Sequence, residues 1–174
     1  MRKNVVFIGF MAVGKTSVAK EVAYRLGKKY VSTDELIISK LNKSISRIFE
    51  EDGERFFREV EKNVVKEASL MEDAVIDCGG GVILYEENVK VLKSNGIIFF
   101  LHATPETLFE RSLNELGARP LLGNKFTLDD VKRLLARRMP LYLDAADYIV
   151  DTTDCSIEVV ADKVISVLKG DGIL

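Results

Sequence analysis

The stretch Gly9 to Thr16, Gly-Phe-Met-Ala-Val-Gly-Lys-Thr, constrains the fold of this chain more than any other. It follows the apolar run Val5-Val6-Phe7-Ile8 and opens a segment, Lys15 to Leu26, in which Val18, Ala19, Val22, Ala23 and Leu26 share one helical stripe. A strand, a glycine-bearing turn and a helix in direct succession are the first part of a strand-helix-strand crossover, which a parallel sheet completes. The stretch also matches the phosphate-loop pattern GxxxxGK[ST] in the context where that pattern has physical meaning. Glycines let the backbone turn its N–H groups inward, and the helix adds its positive end. Ala12, Val13, Gly14, Lys15, Thr16 and Ser17 are therefore candidate contacts to a nucleoside triphosphate such as ATP. Lys15 is placed to neutralise the β and γ phosphates, and Thr16 to offer its hydroxyl to Mg²⁺, an ion that takes few protein ligands. The plainer reading, a glycine turn beside a surface lysine, leaves the flanking strand and helix without a reason.

Further unalternating apolar runs at Tyr30–Thr33, Ala74–Cys78, Ile97–Ala103 and Asp147–Asp151 suit strands buried on both faces. Between them lie helical patterns. Phe57, Val60, Val64 and Ala68 form a stripe within Glu54–Leu70, while Thr127 ahead of Asp129 and Asp130, and Ser156 ahead of Glu158, read as N-caps of two later helices. The alternation predicts a three-layer α/β/α fold on a five-stranded parallel sheet. A chain of 174 residues suits one domain over 1–174. One stretch, Asn114–Phe126, carries Gly117, Pro120 and Gly123 between helical patterns and reads as a functional loop, a lid segment near 112–126.

Charge argues against several classes. With 25 basic and 27 acidic residues, the chain shows no basic excess of the kind nucleic acid demands, and the cluster Lys132–Arg138 reads as a solvated helix face. The basic start and short apolar run at the N-terminus are broken by Lys15, and no stretch approaches the length of a membrane span. Cys78 and Cys155 show no CxxC spacing and read as reduced thiols. A soluble cytoplasmic protein, without nucleic-acid or membrane partners and acting as a monomer, is expected.

Several separated motifs, in order along nearly the whole chain, resemble the shikimate kinase family: the phosphate loop, Asp34, the "FFREVE" segment with Arg58 and Glu61, Gly79-Gly80-Gly81, "RPLL" at Arg119–Leu122, and "RMPLY" at Arg138–Tyr142. The resemblance implies a phosphate-loop fold like that of the nucleoside monophosphate kinases, and ATP- and Mg²⁺-dependent phosphorylation of the 3-hydroxyl of shikimate in aromatic amino-acid biosynthesis. It assigns Arg58 and Arg138 to the acceptor's carboxylate, a role suited to the planar guanidinium. Glu61, three residues on along the same helix face, would steady Arg58. Asp34 would orient or deprotonate the acceptor hydroxyl, with Gly79, Gly80 and Gly81 leaving room for the ring. Arg119 would close over the phosphates as a lid arginine, and Arg111 resembles the family's adenine-stacking arginine.

Each residue also has a structural reading. Asp34 could be the N-cap of the helix it opens, Arg58 a solvated partner of Glu61 or Glu54, the glycine run a turn, Arg138 part of a basic helix face, Arg119 a loop residue, and His102 a structural strand-end residue. The chain departs from the family's Asp-x-Asp pattern, with Ser32 standing where the first aspartate is usual. Asp77, just before the glycine run, is placed either to take over that aspartate's magnesium-associated role or to bond nearby backbone. "DTTDCS" at 151–156 lacks the arginine or proline some relatives place beside adenine. A kinase of another small acid such as gluconate, and a nucleotide-binding switch without phosphoryl transfer, are the competing functional readings.

Overall fold

The protein is described by a computed structural model covering residues 4–115 and 126–173. Its strands are β1 (Asn4–Gly9), β2 (Lys29–Ser32), β3 (Ala74–Asp77), β4 (Gly96–His102) and β5 (Tyr148–Asp151), paired in parallel in the order β2-β3-β1-β4-β5. Every residue of β1 is buried. Successive strand side chains point to opposite faces, so burial of all six residues means that both faces of the central strand are covered. The cover comes from helices α1 (Lys15–Leu26), α2 (Thr33–Leu41), α3 (Ile45–Glu51), α4 (Gly53–Ser69), α5 (Glu86–Asn95), α6 (Pro105–Glu115), α7 (Leu128–Ala145) and α8 (Ile157–Gly170). Among them α1 packs on α8, α4 on α5 and α2, and α6 on α7.

The strand order places a topological switch beside β1. The chain completes β2 and β3 on one side of it and then crosses to lay down β4 and β5 on the other. Ligands of open α/β sheets bind outside the carboxyl ends of the strands at such a point. The residues leaving those ends here are Gly9, Ser32, Asp77, His102 and Asp151.

The main core spans the sheet and both helix layers, with Phe7, Ile76, Ile98, Phe99 and Phe100 fully buried. A separate small cluster, Ile37, Ile48, Phe57 and Val64, joins α2, α3 and α4. Burying a side chain of this size stabilises by about 1.5–3 kcal/mol. That satellite core pins the two helices bearing Asp34 and Arg58 to one another.

Three helix starts follow their caps. Ser156 accepts from Val159 N, Thr127 forms a full capping box with Asp130, and Ser32 accepts from Glu35 N at 3.2 Å. The last of these corrects the capping alternative for Asp34: Ser32 caps α2, and Asp34 lies within its first turn. At the other expected difference, α6 continues through Glu115, so the beginning of the segment read as a lid is helical. Asn114 and Glu115 contain no breaker, and Gly117 is the first residue that does. Residues 116–125 of that segment, with Arg119, lie outside the described residues.

Candidate active site

The phosphate loop joins β1 to α1 through two residues with positive φ, Ala12 (φ 60) and Gly14 (φ 95). An alanine held in the left-handed region costs about 1–2 kcal/mol, a local strain of the kind that persists where the surrounding structure demands it. Gly14 is the N-cap of α1 and carries no side chain to cap it. The first N–H groups of the helix therefore face a cleft and not a capping oxygen, the arrangement that attracts an anion. Lys15 Nζ lies across the loop, donating to Gly9 O at 2.9 Å and Phe10 O at 3.0 Å.

A cavity of about 270 Å³ opens beyond the loop, bounded by Lys15, Thr16, Tyr30, Asp34, Asp77 and Gly80 among others. On its floor Thr16 Oγ1 donates to Asp77 Oδ2 at 2.6 Å. Asp77 is the register partner of both Ser32 on β2 and Phe7 on β1, so its carboxylate sits at the carboxyl edge, between the phosphate-loop strand and the position that lacks an aspartate. Tyr30 OH donates to the same oxygen at 3.1 Å. Burial, with Asp77 and then Glu35 nearby, pushes the Tyr30 phenol well above its ordinary range and keeps it a donor. A hydroxyl and a carboxylate beside a phosphate cradle are the hard oxygen donors Mg²⁺ prefers. No cluster of three or more His, Cys, Asp or Glu that could hold a metal ion exists among the described residues.

A second cavity, of about 500 Å³, lies on the other side of the loop and shares Ala12, Gly14 and Ser17 with the first. Arg111 forms part of its wall. Its guanidinium donates to Val13 O at 3.2 Å, Thr152 Oγ1 at 3.2 Å and Thr152 O at 3.0 Å, tying the phosphate loop to the turn after β5. Thr152, Cys155 and Ser156 of the "DTTDCS" segment line this second cavity.

The third region gathers around Gly79, Gly80 and Gly81. Arg58 is 7% exposed and donates from Nη1 to Glu61 Oε2 at 2.8 Å, with Glu54 at 3.3 Å; its guanidinium also rests 5.1 Å from the Phe57 ring centroid. The ion-pair reading of Arg58 is thus correct as to partners, but the pair is buried and not solvated. A Cβ on Gly81 would lie 2.6 Å from both Nη atoms of Arg58, and one on Gly79 would lie 2.8 Å from Asp34 Oδ1 and 3.2 Å from Glu61 Oε1. At Gly80 the nearest neighbours of a Cβ, Gly9 O at 3.5 Å, Met11 N at 3.7 Å and Arg138 Nη1 at 3.9 Å, would be ordinary contacts. A side chain at Gly79 or Gly81 would therefore have to displace the end of Asp34 or Arg58, whereas Gly80 has room for a Cβ.

Glu61 is 1% exposed, and its Oε1 has no hydrogen-bond partner among the described residues. Burial raises its carboxyl above the ordinary range, with Arg58 pulling the other way. Tyr142 was part of a quoted motif without an assigned role. It stacks on Phe100, and its hydroxyl, pushed up to about 12 by burial, donates to Gly80 O at 2.6 Å; Arg138 Nη1 reaches the same oxygen at 3.5 Å. Its helical spacing of four from Arg138 was the available signal. Tyr30 and Thr152 carried no such signal. His102 ends β4 with a ring contact to Phe100, and its buried Nδ1 has no hydrogen-bond partner among the described residues.

Taken together, a phosphate cradle at a helix N-terminus and a cationic, carboxylate-edged pocket beside it define a phosphate-loop kinase acting on a small molecule. A shikimate kinase family model matches residues 11–169. The chain is 44% identical over 165 residues to a shikimate kinase of Caldicellulosiruptor saccharolyticus, covering 95% of each, and 45% identical over 163 residues to that of Thermodesulfovibrio yellowstonii, covering 94% of this chain and 93% of that one. In structure it resembles a shikimate kinase from Acinetobacter baumannii solved in complex with shikimate, with TM-score 0.92 at 30% identity over 98% of this chain and 95% of that one. The shikimate kinase of Aquifex aeolicus superposes with TM-score 0.82 at 31% identity, covering 98% of each. The chain belongs to the shikimate kinase family.

Proposed function

We propose that this chain transfers the γ-phosphoryl group of ATP to the 3-hydroxyl of shikimate, releasing shikimate 3-phosphate and ADP in aromatic amino-acid biosynthesis. The observation that carries the reading is the convergence of Asp34, Arg58, Glu61 and Arg138 on the three-glycine turn, within contact of the phosphate loop. A switch that only binds nucleotide has no use for a buried guanidinium beside that loop.

Arg58 and Arg138 hold the acceptor carboxylate, and Asp34 accepts the hydrogen bond of the hydroxyl that attacks. As the O–P bond forms and the bond to ADP breaks, the hydroxyl proton passes to Asp34. Transfer of this kind depends mainly on positioning and charge balance, so the aspartate need not be a strong base. Lys15 moves from the Gly9 and Phe10 carbonyls to the β and γ phosphates, and Arg119, which lies outside the described residues, supplies further positive charge in the role the family resemblance gives it. Gly79 and Gly81 leave the pocket no Cβ that would crowd Asp34 or Arg58. Arg111 and the phosphate loop wall the larger cavity, where the nucleotide base and ribose fit.

Thr16 and Asp77 are the groups that would hold Mg²⁺, Thr16 by its oxygen lone pairs and Asp77 through water. When bound, the ion offsets charge on the transferring phosphoryl group. Thr16 keeps its proton on Asp77, which turns its lone pairs toward the cavity. The reduced thiols Cys78 and Cys155 suit a cytoplasmic protein, and among the described residues no helix is long and apolar enough to cross a membrane. Every group in this reading comes from one chain, so a monomer suffices.

ADP release coupled to an indicator reaction, with shikimate, with gluconate and with no acceptor, tests the assignment. Turnover stimulated by shikimate alone is expected. Equal turnover without an acceptor would make the chain an ATPase, and stimulation by gluconate instead would reassign the acceptor.

A further inference from the structure

The hydroxyl of Tyr30 has no role in the phosphate handling or acceptor binding given above, yet it donates to Asp77, the carboxylate that also receives Thr16 beneath the phosphate loop. Tyr30 and Ser32 are two residues apart on β2 and so lie on the same sheet face, and Ser32 is in register with Asp77. That geometry lets a tyrosine one step back along the strand reach over to its neighbour's carboxylate. Asp77 Oδ2 receives both Thr16 Oγ1 and Tyr30 OH, at 2.6 and 3.1 Å. Both acceptor directions of that oxygen are then filled, while Oδ1 accepts no hydrogen bond from the described residues and belongs to the group that borders the cavity.

We propose that Tyr30 is a positioning residue for magnesium: it locks the Asp77 carboxylate so that Oδ1 alone is offered to the water shell of the ion, replacing on β3 the carboxylate that β2 lacks at Ser32. The proposal rests on the magnesium role of Asp77 given above.

Without the phenol, Oδ2 has only Thr16, and the carboxylate is free to rotate about its Cβ–Cγ bond. Either oxygen could then take the Thr16 proton, and the orientation that serves the ion would be one of two. A single hydrogen bond fixes a direction; two on one oxygen fix the plane. Outer partners of this kind orient the groups that meet the metal or its waters, and their loss typically weakens metal binding by about 10–100-fold. Tyr30 is itself held: Lys20 Nζ lies 5.2 Å from its ring centroid, and Val75 is its register partner on β3. The ring contacts survive in Tyr30→Phe, so that variant removes the hydroxyl and little else.

The test is a titration of Mn²⁺, as a magnetic stand-in for Mg²⁺, into ADP held by excess enzyme, followed by loss of the free-ion EPR signal. Tyr30→Phe is expected to weaken the ion's dissociation constant by roughly tenfold, the lower end for an outer partner. ADP affinity without metal and the KM for shikimate should stay at their starting values and the thermal midpoint should fall by no more than about 2–6 °C, the cost of one hydrogen bond, a pattern that loss of fold or of the nucleotide pocket would not produce. In an Asp77→Asn background the same change should add nothing, because the group it positions is gone. An ion affinity for Tyr30→Phe within about twofold of the parent, alongside a weakened Asp77→Asn, would overturn the role of Tyr30 and leave that of Asp77 standing. A full additive loss in the double variant would also overturn it. Unchanged binding in both single variants would remove the Asp77 reading and this one with it.

Discussion

Replacing Arg58 by methionine separates the structural from the binding role of the acceptor pocket. Arg58 and Glu61 are 7% and 1% exposed, and their closest approach is 2.8 Å. Methionine keeps much of the side-chain volume and leaves Glu61 buried without its cation. Breaking a buried pair in this way costs about 3–5 kcal/mol, which for a domain of this size lowers the thermal midpoint by roughly 6–20 °C. The loss should depend on pH in a defined direction. The Glu61 carboxyl is raised by burial and held down by Arg58, so removing Arg58 raises it further. A carboxyl with a native pKa above its unfolded value favours the folded state most below the unfolded pKa, and that advantage disappears as pH rises through the native pKa. Arg58→Met should therefore be hurt most at pH 8 and least near pH 5. Adding Glu61→Gln removes the stranded charge, recovers much of the loss at pH 8 and flattens the profile. Thermal unfolding followed by circular dichroism at both pH values decides the matter. An equal loss at pH 5 and pH 8, or a double variant no more stable than the single one, would refute the reasoning.

Two further changes probe the glycine turn. Gly81→Ala puts a Cβ 2.6 Å from both terminal nitrogens of Arg58, so the guanidinium must move; the KM for shikimate should rise about tenfold, the equivalent of about 1.4 kcal/mol, with the KM for ATP unchanged. Tyr142→Phe removes the 2.6 Å bond to Gly80 O and leaves that carbonyl only the 3.5 Å contact from Arg138. Urea unfolding should show a loss of about 0.5–1.5 kcal/mol, the net contribution of one hydrogen bond whose half-buried acceptor borders the cavity.

What the sequence disclosed follows the range of the interactions involved. The central strands β1, β3 and β4 were legible because burial on both faces produces unbroken apolar runs. By contrast, β2 and β5 correct the expectation of two buried faces: they are the sheet edges, and Lys29, Ile149 and Asp151 are exposed. Helix α1 was legible because its stripe starts at the phosphate-loop lysine and stops before Gly27, whose positive φ of 63 ends the helix. The Arg58–Glu61 pair was legible because it spans one helical turn. Contacts between distant segments were not. The bond from Thr16 to Asp77 joins residues 61 apart and forms only because β1 and β3 lie side by side. Tyr30 lay in a strand pattern where an aromatic residue raises no question. Asp34 and Ser32 are both good caps, and only backbone geometry chose between them. Arg111 had a family role, yet its anchoring by Val13 and Thr152 depends on two loops that meet only in the folded sheet.

The central claim is spatial: Asp34, Arg58 and Arg138 present an alcohol to the terminal phosphorus of a nucleotide cradled by Lys15. A crystal structure of the chain with shikimate and a non-hydrolysable ATP analogue tests it most directly. The account predicts the carboxylate of the acid on both arginines and its 3-hydroxyl within about 3 Å of an Asp34 oxygen, facing the γ-phosphorus. Shikimate bound away from these side chains, or with its carboxylate turned toward Lys15, would contradict it.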